Sequence, residues 1–126
     1  MNITGFNPAI FTYQADKLIE LFEELGFSRT HHDETEEGII NDSVRMKDAH
    51  GFSIDVTSSD YVLRDVTFIR MNVDDFEESY QYLLDRGFRN AMGKGVILQA
   101  EHWKGAHMVA PSGFGILIMK HFRKDA

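Results

Sequence analysis

The chain contains no cysteine. Disulfide bonds and thiolate metal sites are therefore excluded, and nothing in the composition asks for an oxidising compartment. Proline occurs only twice, too rarely for a polyproline or collagen-like segment. No stretch approaches the ~20 consecutive apolar residues that span a bilayer, and Met1-Asn2-Ile3-Thr4-Gly5 lacks the basic start and apolar run of a signal segment. Basic side chains are in the minority, 13 against 20 acidic, for a formal charge of −7. That balance disfavours phosphate backbones and anionic membranes as partners. A cytoplasmic protein that binds neither nucleic acid nor membrane is expected. The carboxylates are expected on solvated helix faces and in the turn Asp33-Glu34-Thr35-Glu36-Glu37, although an acidic field also favours a cationic small molecule.

What is present is a repeat. Leu21-Phe22-Glu23-Glu24-Leu25-Gly26-Phe27 returns as Tyr82-Leu83-Leu84-Asp85-Arg86-Gly87-Phe88. Downstream of each copy, Met46-Lys47-Asp48-Ala49-His50-Gly51-Phe52-Ser53-Ile54 is matched by Met108-Val109-Ala110-Pro111-Ser112-Gly113-Phe114-Gly115-Ile116. One supersecondary unit is thus written twice, and a duplicated unit commonly encloses something between its copies. With 126 residues, 43% of them hydrophobic, the chain can bury one good core. A single domain of two cooperating halves follows, one over residues 1–58 and one over 66–126, joined by a connector at 59–65.

The spacing predicts strand 7–12, then a helix whose inward stripe is Leu18, Leu21, Phe22 and Leu25, stopped by Gly26. Strands 27–32, 39–47 and 52–57 complete the first half. The second half predicts strand 66–73, a helix with Phe76, Tyr80, Leu83 and Leu84 inward and Asp74 or Asp75 as N-cap, and a stop at Gly87. A strand from Phe88, a glycine-punctuated turn at Gly93-Lys94-Gly95, a segment through Trp103 and strands 106–110 and 114–121 follow. The Gly93-Lys94-Gly95 stretch is too short for a phosphate loop and reads as a turn.

This order resembles the vicinal oxygen chelate superfamily, which includes glyoxalase I, bleomycin-resistance proteins and extradiol dioxygenases. Trp103-Lys104-Gly105-Ala106-His107-Met108-Val109-Ala110-Pro111-Ser112-Gly113-Phe114-Gly115-Ile116 looks like that family's stretch from a tryptophan to Asp-Pro-x-Gly-Asn-x-Ile-Glu. The resemblance implies an α+β fold of two tandem βαβββ modules, a cupped mixed sheet with helices on its convex face, and a homodimer. It also implies where a metal would be held, by a histidine in the first strand of a module and a glutamate in its last. Those positions fall at Asn7 and Phe68, and at Asp55 and Leu117. The set does not suit a divalent transition metal, so no metal and no other cofactor are expected.

Pairing around the two tight turns sets Val44 against Val56, Arg45 against Asp55, Met46 against Ile54 and Lys47 against Ser53. In the second copy it sets Met108 against Ile116, Ala106 against Ile118, His107 against Leu117 and Val109 against Gly115. The apolar face is assigned to the helices. Arg45, Asp55, His107 and Leu117 then face the cavity, with Asn7, Ala9 and Phe11 from the first strand and Phe68, Arg70 and Asn72 from its counterpart. Asp55 has three readings: a cross-strand ion pair with Arg45, an anchor for a ligand, or a metal ligand. His107 is the histidine sent inward, and His31, His32, His50, His102 and His121 read as surface residues. Trp103 has two readings of equal weight: on the cavity rim, where an aromatic can stack on a planar or cationic ligand, or packed in the core or a dimer contact.

The candidate ligand-binding set is Phe11, Arg45, Asp55, Phe68, Arg70, Trp103, His107 and Leu117. The leading reading is a metal-independent protein that sequesters or senses a small organic molecule, cationic or aromatic, in a concave pocket. The competing reading is an enzyme, either a lyase or isomerase in which Asp55 and His107 shuttle protons, or a dioxygenase-like protein with a displaced metal site. A third is an interaction module whose cavity is filled by its own side chains.

Overall fold

A computed structural model describes residues 1–34, 42–60 and 62–122. Thr35, Glu36 and Glu37 of the acidic turn, the head of the expected strand 39–47 and one connector residue, Tyr61, lie outside these. The elements run β1 (Ile3–Thr12), α1 (Ala15–Glu24), β2 (Ser28–Glu34), β3 (Asp42–Lys47), β4 (Ser53–Ser58), β5 (Val66–Val73), α2 (Phe76–Asp85), β6 (Arg89–Asn90), β7 (Leu98–Ala100), β8 (Trp103–Val109) and β9 (Gly115–His121). The class is α+β with the expected βαβββ order. The second copy departs from it by breaking its second strand into β6 and β7, both paired to β8. No helix among the described residues is long and apolar enough to cross a membrane.

The chain forms two compact units, Asn7–Thr67 and Met1–Phe6 with Phe68–Ala126. They are called the first and second modules below. In the first, the strand order is β2-β3-β4-β1. β2–β3 and β3–β4 are antiparallel and β4–β1 is parallel, with Ala9 beside Asp55. In the second the order is β5-β9-β8-β6, with β5–β9 parallel and Arg70 beside Leu117. Residues 1–6 pack with the second module. The Asn2 backbone N–H donates to Asp74 Oδ1 (3.0 Å), its side-chain amide donates to Oδ2 (2.9 Å), and the terminal amine meets Glu78 at 2.5 Å.

The duplicated Gly-Phe pair has a mechanical cause. Gly26 and Gly87 sit just past the two helices at φ 102° and 91°, a conformation that costs glycine little. This lets Phe27 N–H reach Phe22 O (2.9 Å) and Gly26 N–H reach Glu23 O (3.1 Å). Phe88 N–H to Leu83 O (3.1 Å) and Gly87 N–H to Leu84 O (3.1 Å) repeat the pattern. Carbonyls left over at each helix end are thereby satisfied, and the following phenylalanine folds back onto the helix, Phe27 edge-on to Phe22 at 5.5 Å.

The second duplicated motif fixes the core. Met46 lies opposite Ile54 and Met108 opposite Ile116, the register expected from the turns. Both methionines are fully buried. Val44, Met46, Ile54 and Val56 pack with Ala15 and Ile19 of α1. Ala106, Met108, Ile116 and Ile118 pack with Phe76 and Leu83 of α2. Each large apolar side chain so buried contributes roughly 1.5–3 kcal/mol.

Two helix faces differ from expectation. The buried residues of α1 are Ala15 and Ile19, with Leu18 and Phe22 partly covered, while Leu21 and Leu25 are 46% and 62% exposed. The helix begins at Ala15, three residues before the first apolar position of the predicted stripe. From there a 3.6-residue period carries the core line through Ile19 to Phe22 and turns Leu21 and Leu25 to the flank. On α2, Leu84 is likewise exposed and Ser79 is buried in its place, its hydroxyl donating to Asp75 O at 2.7 Å.

Asp75 is the N-cap of α2, its carboxylate accepting from Glu78 N–H at 3.0 Å, whereas α1 has no side-chain cap at Gln14. Asp75→Ala is expected to cost about 1 kcal/mol of stability. Urea unfolding of the variant checks this, and an unchanged midpoint would show that the cap is not holding the helix.

Candidate functional site

With α1 on one face of the first module, strand alternation sends Arg45, Asp55, Asn7, Ala9 and Phe11 to the other. Asp55 is the centre of this face. Its side chain is 3% exposed, and its carboxylate accepts from Arg45 Nε to Oδ1 (2.9 Å), from Arg45 Nη2 to Oδ2 (3.4 Å) and from Asn7 Nδ2 to Oδ2 (2.9 Å). The Asn7 amide also donates to Pro8 O at 2.9 Å. A buried carboxylate is costly unless charge and hydrogen bonds answer it, and here a guanidinium and an amide both do. The cross-strand Arg45–Asp55 pair is therefore present. Asn7, which local sequence reading left outside the ligand-binding set, is its third member. Nearby, Thr57 Oγ1 donates to Ser43 Oγ at 3.1 Å, and Phe11 is buried.

The helix-free face of the second module is built differently. Phe68 lies against the His107 ring, with centroids 4.9 Å apart. It also covers Gly115, where an added Cβ would sit 2.7 Å from Phe68 Cδ2. His107 pairs with Leu117, and Leu117 with Arg70 of β5. Arg70 Nε donates to Asn72 Oδ1 at 3.1 Å, and its Nη2 lies 3.3 Å from His121 Nε2. His121, expected as a plain surface residue, is thus a partner of Arg70. Phe68, His107 and Leu117 are all buried.

Burial pushes the His107 imidazole down to about 4 from its ordinary 6.5. It is neutral near pH 7, so it is a weak base there.

Trp103 is the first residue of β8, paired with Ala100 on one side and His121 on the other, and it is half-buried. The hairpin β7–β8, unseen in the sequence pattern because β7 has only three residues, draws it into the sheet. Gly93-Lys94-Gly95 is a turn, with Val96 N–H closing on Gly93 O at 3.0 Å. His50 sits in the β3–β4 turn beside Asp48, and His102 lies between β7 and β8 beside Glu101. The backbone of His31 and His32 belongs to β2.

The metal positions implied by the resemblance can be tested on their chemistry. In the first module Asn7 and Asp55 come together, but the amide presents N–H to the carboxylate and the carboxylate is held by Arg45. In the second the positions carry a phenyl ring and an isobutyl group. These four side chains do not form a transition-metal donor set. Among the described residues no cluster of three or more histidine, cysteine, aspartate or glutamate side chains is placed to hold an ion.

No family model matches the sequence, and no curated protein matches it. Solved structures do resemble it. Methylmalonyl-CoA epimerase from Mycobacterium tuberculosis is similar at TM-score 0.71 and 14% identity, over 96% of this chain and 90% of that one. A glyoxalase/bleomycin resistance protein/dioxygenase superfamily member from Vibrio splendidus 12B01 is similar at TM-score 0.61 and 14% identity, over 92% and 97%. A mutant of 4-hydroxymandelate synthase from Streptomyces coelicolor is similar at TM-score 0.57 and 12% identity, over 95% of this chain and 49% of that one. The chain has the fold of the vicinal oxygen chelate superfamily. At these identities the likeness carries the fold alone, since one scaffold hosts many activities.

Two measurements check the second module. Gly115→Ala is expected to cost about 1–3 kcal/mol in urea unfolding, because Phe68 must move to admit the methyl group. For His107 the folded pKa lies below the unfolded one, so its contribution is intact above pH 6.5. As pH falls from 6.5 towards 4 the unfolded chain takes up a proton that the folded chain refuses, and about 3 kcal/mol is lost. His107→Gln should therefore shrink the stability difference between neutral pH and about pH 4.5 by roughly 2–3 kcal/mol relative to the parent protein. An unchanged pH slope would show that His107 is not held neutral.

Proposed function

We propose that the protein binds a small organic molecule on the helix-free face of its first module, without a metal ion, and acts by sequestering or sensing it. The observation that carries this reading is the Asn7–Asp55–Arg45 knot. It occupies the positions where an ion-holding imidazole and carboxylate would stand, and it commits the carboxylate to a guanidinium. On the helix-free face of the first module Arg45 is half-buried and Lys47 exposed, so fixed polar groups stay within reach of a ligand there. On that of the second module, taken by itself, Arg70 and the flat aromatic Trp103 are half-buried. The enzymatic reading is weaker, because His107 is a poor base at neutral pH and Asp55 is already engaged by Arg45 and Asn7.

The test is elemental analysis of protein purified without chelator, joined to a thermal-shift screen of small acids, amines and aromatics. Substoichiometric iron, zinc, nickel and manganese are expected, with a melting temperature unmoved by chelator and raised by some members of the library. One equivalent of a transition metal lost together with Asp55→Ala would overturn metal independence. Uniform silence across the library would overturn ligand binding.

A further inference from the structure

Arg45 carries more donors than its partner uses. A guanidinium presents five N–H groups in a planar fork. Asp55 takes the side edge, one bond from Nε and a longer one from Nη2. That leaves the end edge, made by Nη1 and the second Nη2 hydrogen, with no hydrogen-bond partner among the described residues. The two ends of the pair also differ in access: the Arg45 side chain is 29% exposed and that of Asp55 is 3% exposed. The carboxylate thus works from below, fixing the plane of the guanidinium, while Asn7 fixes the carboxylate. Lys47, two residues along β3 and therefore on the same face, is exposed. Lys47 is thus a second cationic side chain on the face that carries Arg45.

We infer that the end edge of Arg45 is a recognition site for the carboxylate of a small organic acid. The inference rests on the small-molecule reading above and names the ligand class for it. Two parallel N–H groups at a guanidinium end match the two oxygens of a planar carboxylate, and an arginine already oriented loses little rotamer entropy when it binds. Asn7 and Asp55 are positioning residues, acting on the ligand through Arg45.

Three ligands of one shape and different charge test it: benzoate, benzamide and benzamidine, each titrated into the intact protein while the Arg45 Nε–H resonance is followed by NMR. Benzoate is expected to move that resonance saturably and the other two to leave it in place. Arg45→Lys, which keeps the charge and loses the fork, should weaken benzoate about tenfold or more. Lys47→Gln should weaken it less. Benzoate binding unchanged in Arg45→Lys, or benzamide or benzamidine moving the Arg45 resonance as strongly, would overturn the carboxylate assignment while leaving small-molecule binding intact. No response of Arg45 to any of the three would also overturn the assignment, and the broader library then decides the parent reading separately. Because the resonance is read in the unaltered protein, a variant that failed to fold would not rescue the idea.

Discussion

Met46 against Ile54 and Met108 against Ile116 are the contacts on which everything else in the molecule depends. In a strand the side chains alternate, so a slip of one residue in either hairpin would turn the methionine out and bring the polar face in. Fully buried methionines under α1 and α2 make that slip expensive. The turns oppose it as well: Gly51 and Gly113 hold φ at 89° and 100°, so each reversal can be made at one point of the chain. Once the apolar faces are committed to the helices, Arg45 and Asp55 in one module, and His107 and Leu117 in the other, have only the opposite face to occupy.

The two modules spend that shared frame on different chemistry. In the first, the helix-free face is organised by charge. A carboxylate removed from water is answered by a guanidinium and an amide, and the Arg45 side chain stays partly exposed. In the second it is organised by shape. Phe68 lies over a glycine and against an imidazole, and burial keeps that imidazole neutral. Glycine at position 115 is needed because the phenyl ring takes the space a Cβ would fill. The same geometric slot thus holds an ionic knot in one copy and an aromatic stack in the other, which is how a duplicated scaffold can acquire an asymmetric function.

Several particulars are legible in the sequence. The hairpin registers, the two faces they define, the Arg45–Asp55 pair, the helix stops at Gly26 and Gly87 and a cap at Asp74 or Asp75 all depend on residues close together in the chain or joined by a tight turn. Others are not. The α1 stripe is one, since leucines are common on both the core line and its flank and only packing distinguishes Ile19 from Leu21. The pairing of Trp103 with Ala100 is another, because β7 is too short to leave a period-two signature. The first six residues carry no mark that they belong beside Asp74 and Glu78, far along the chain.

The sequence by itself determined the repeat, the α+β class and which side chains share a face, because alternation, turn chemistry and helix stops are local properties. Tertiary structure alone decided who meets whom across the parallel pairings. Asn7 reaches Asp55 over 48 residues, through a β1–β4 register that no turn dictates. It also decided that His107 is neutral, since an imidazole's proton affinity depends on the water taken from it, and that loss is set by neighbours from other strands.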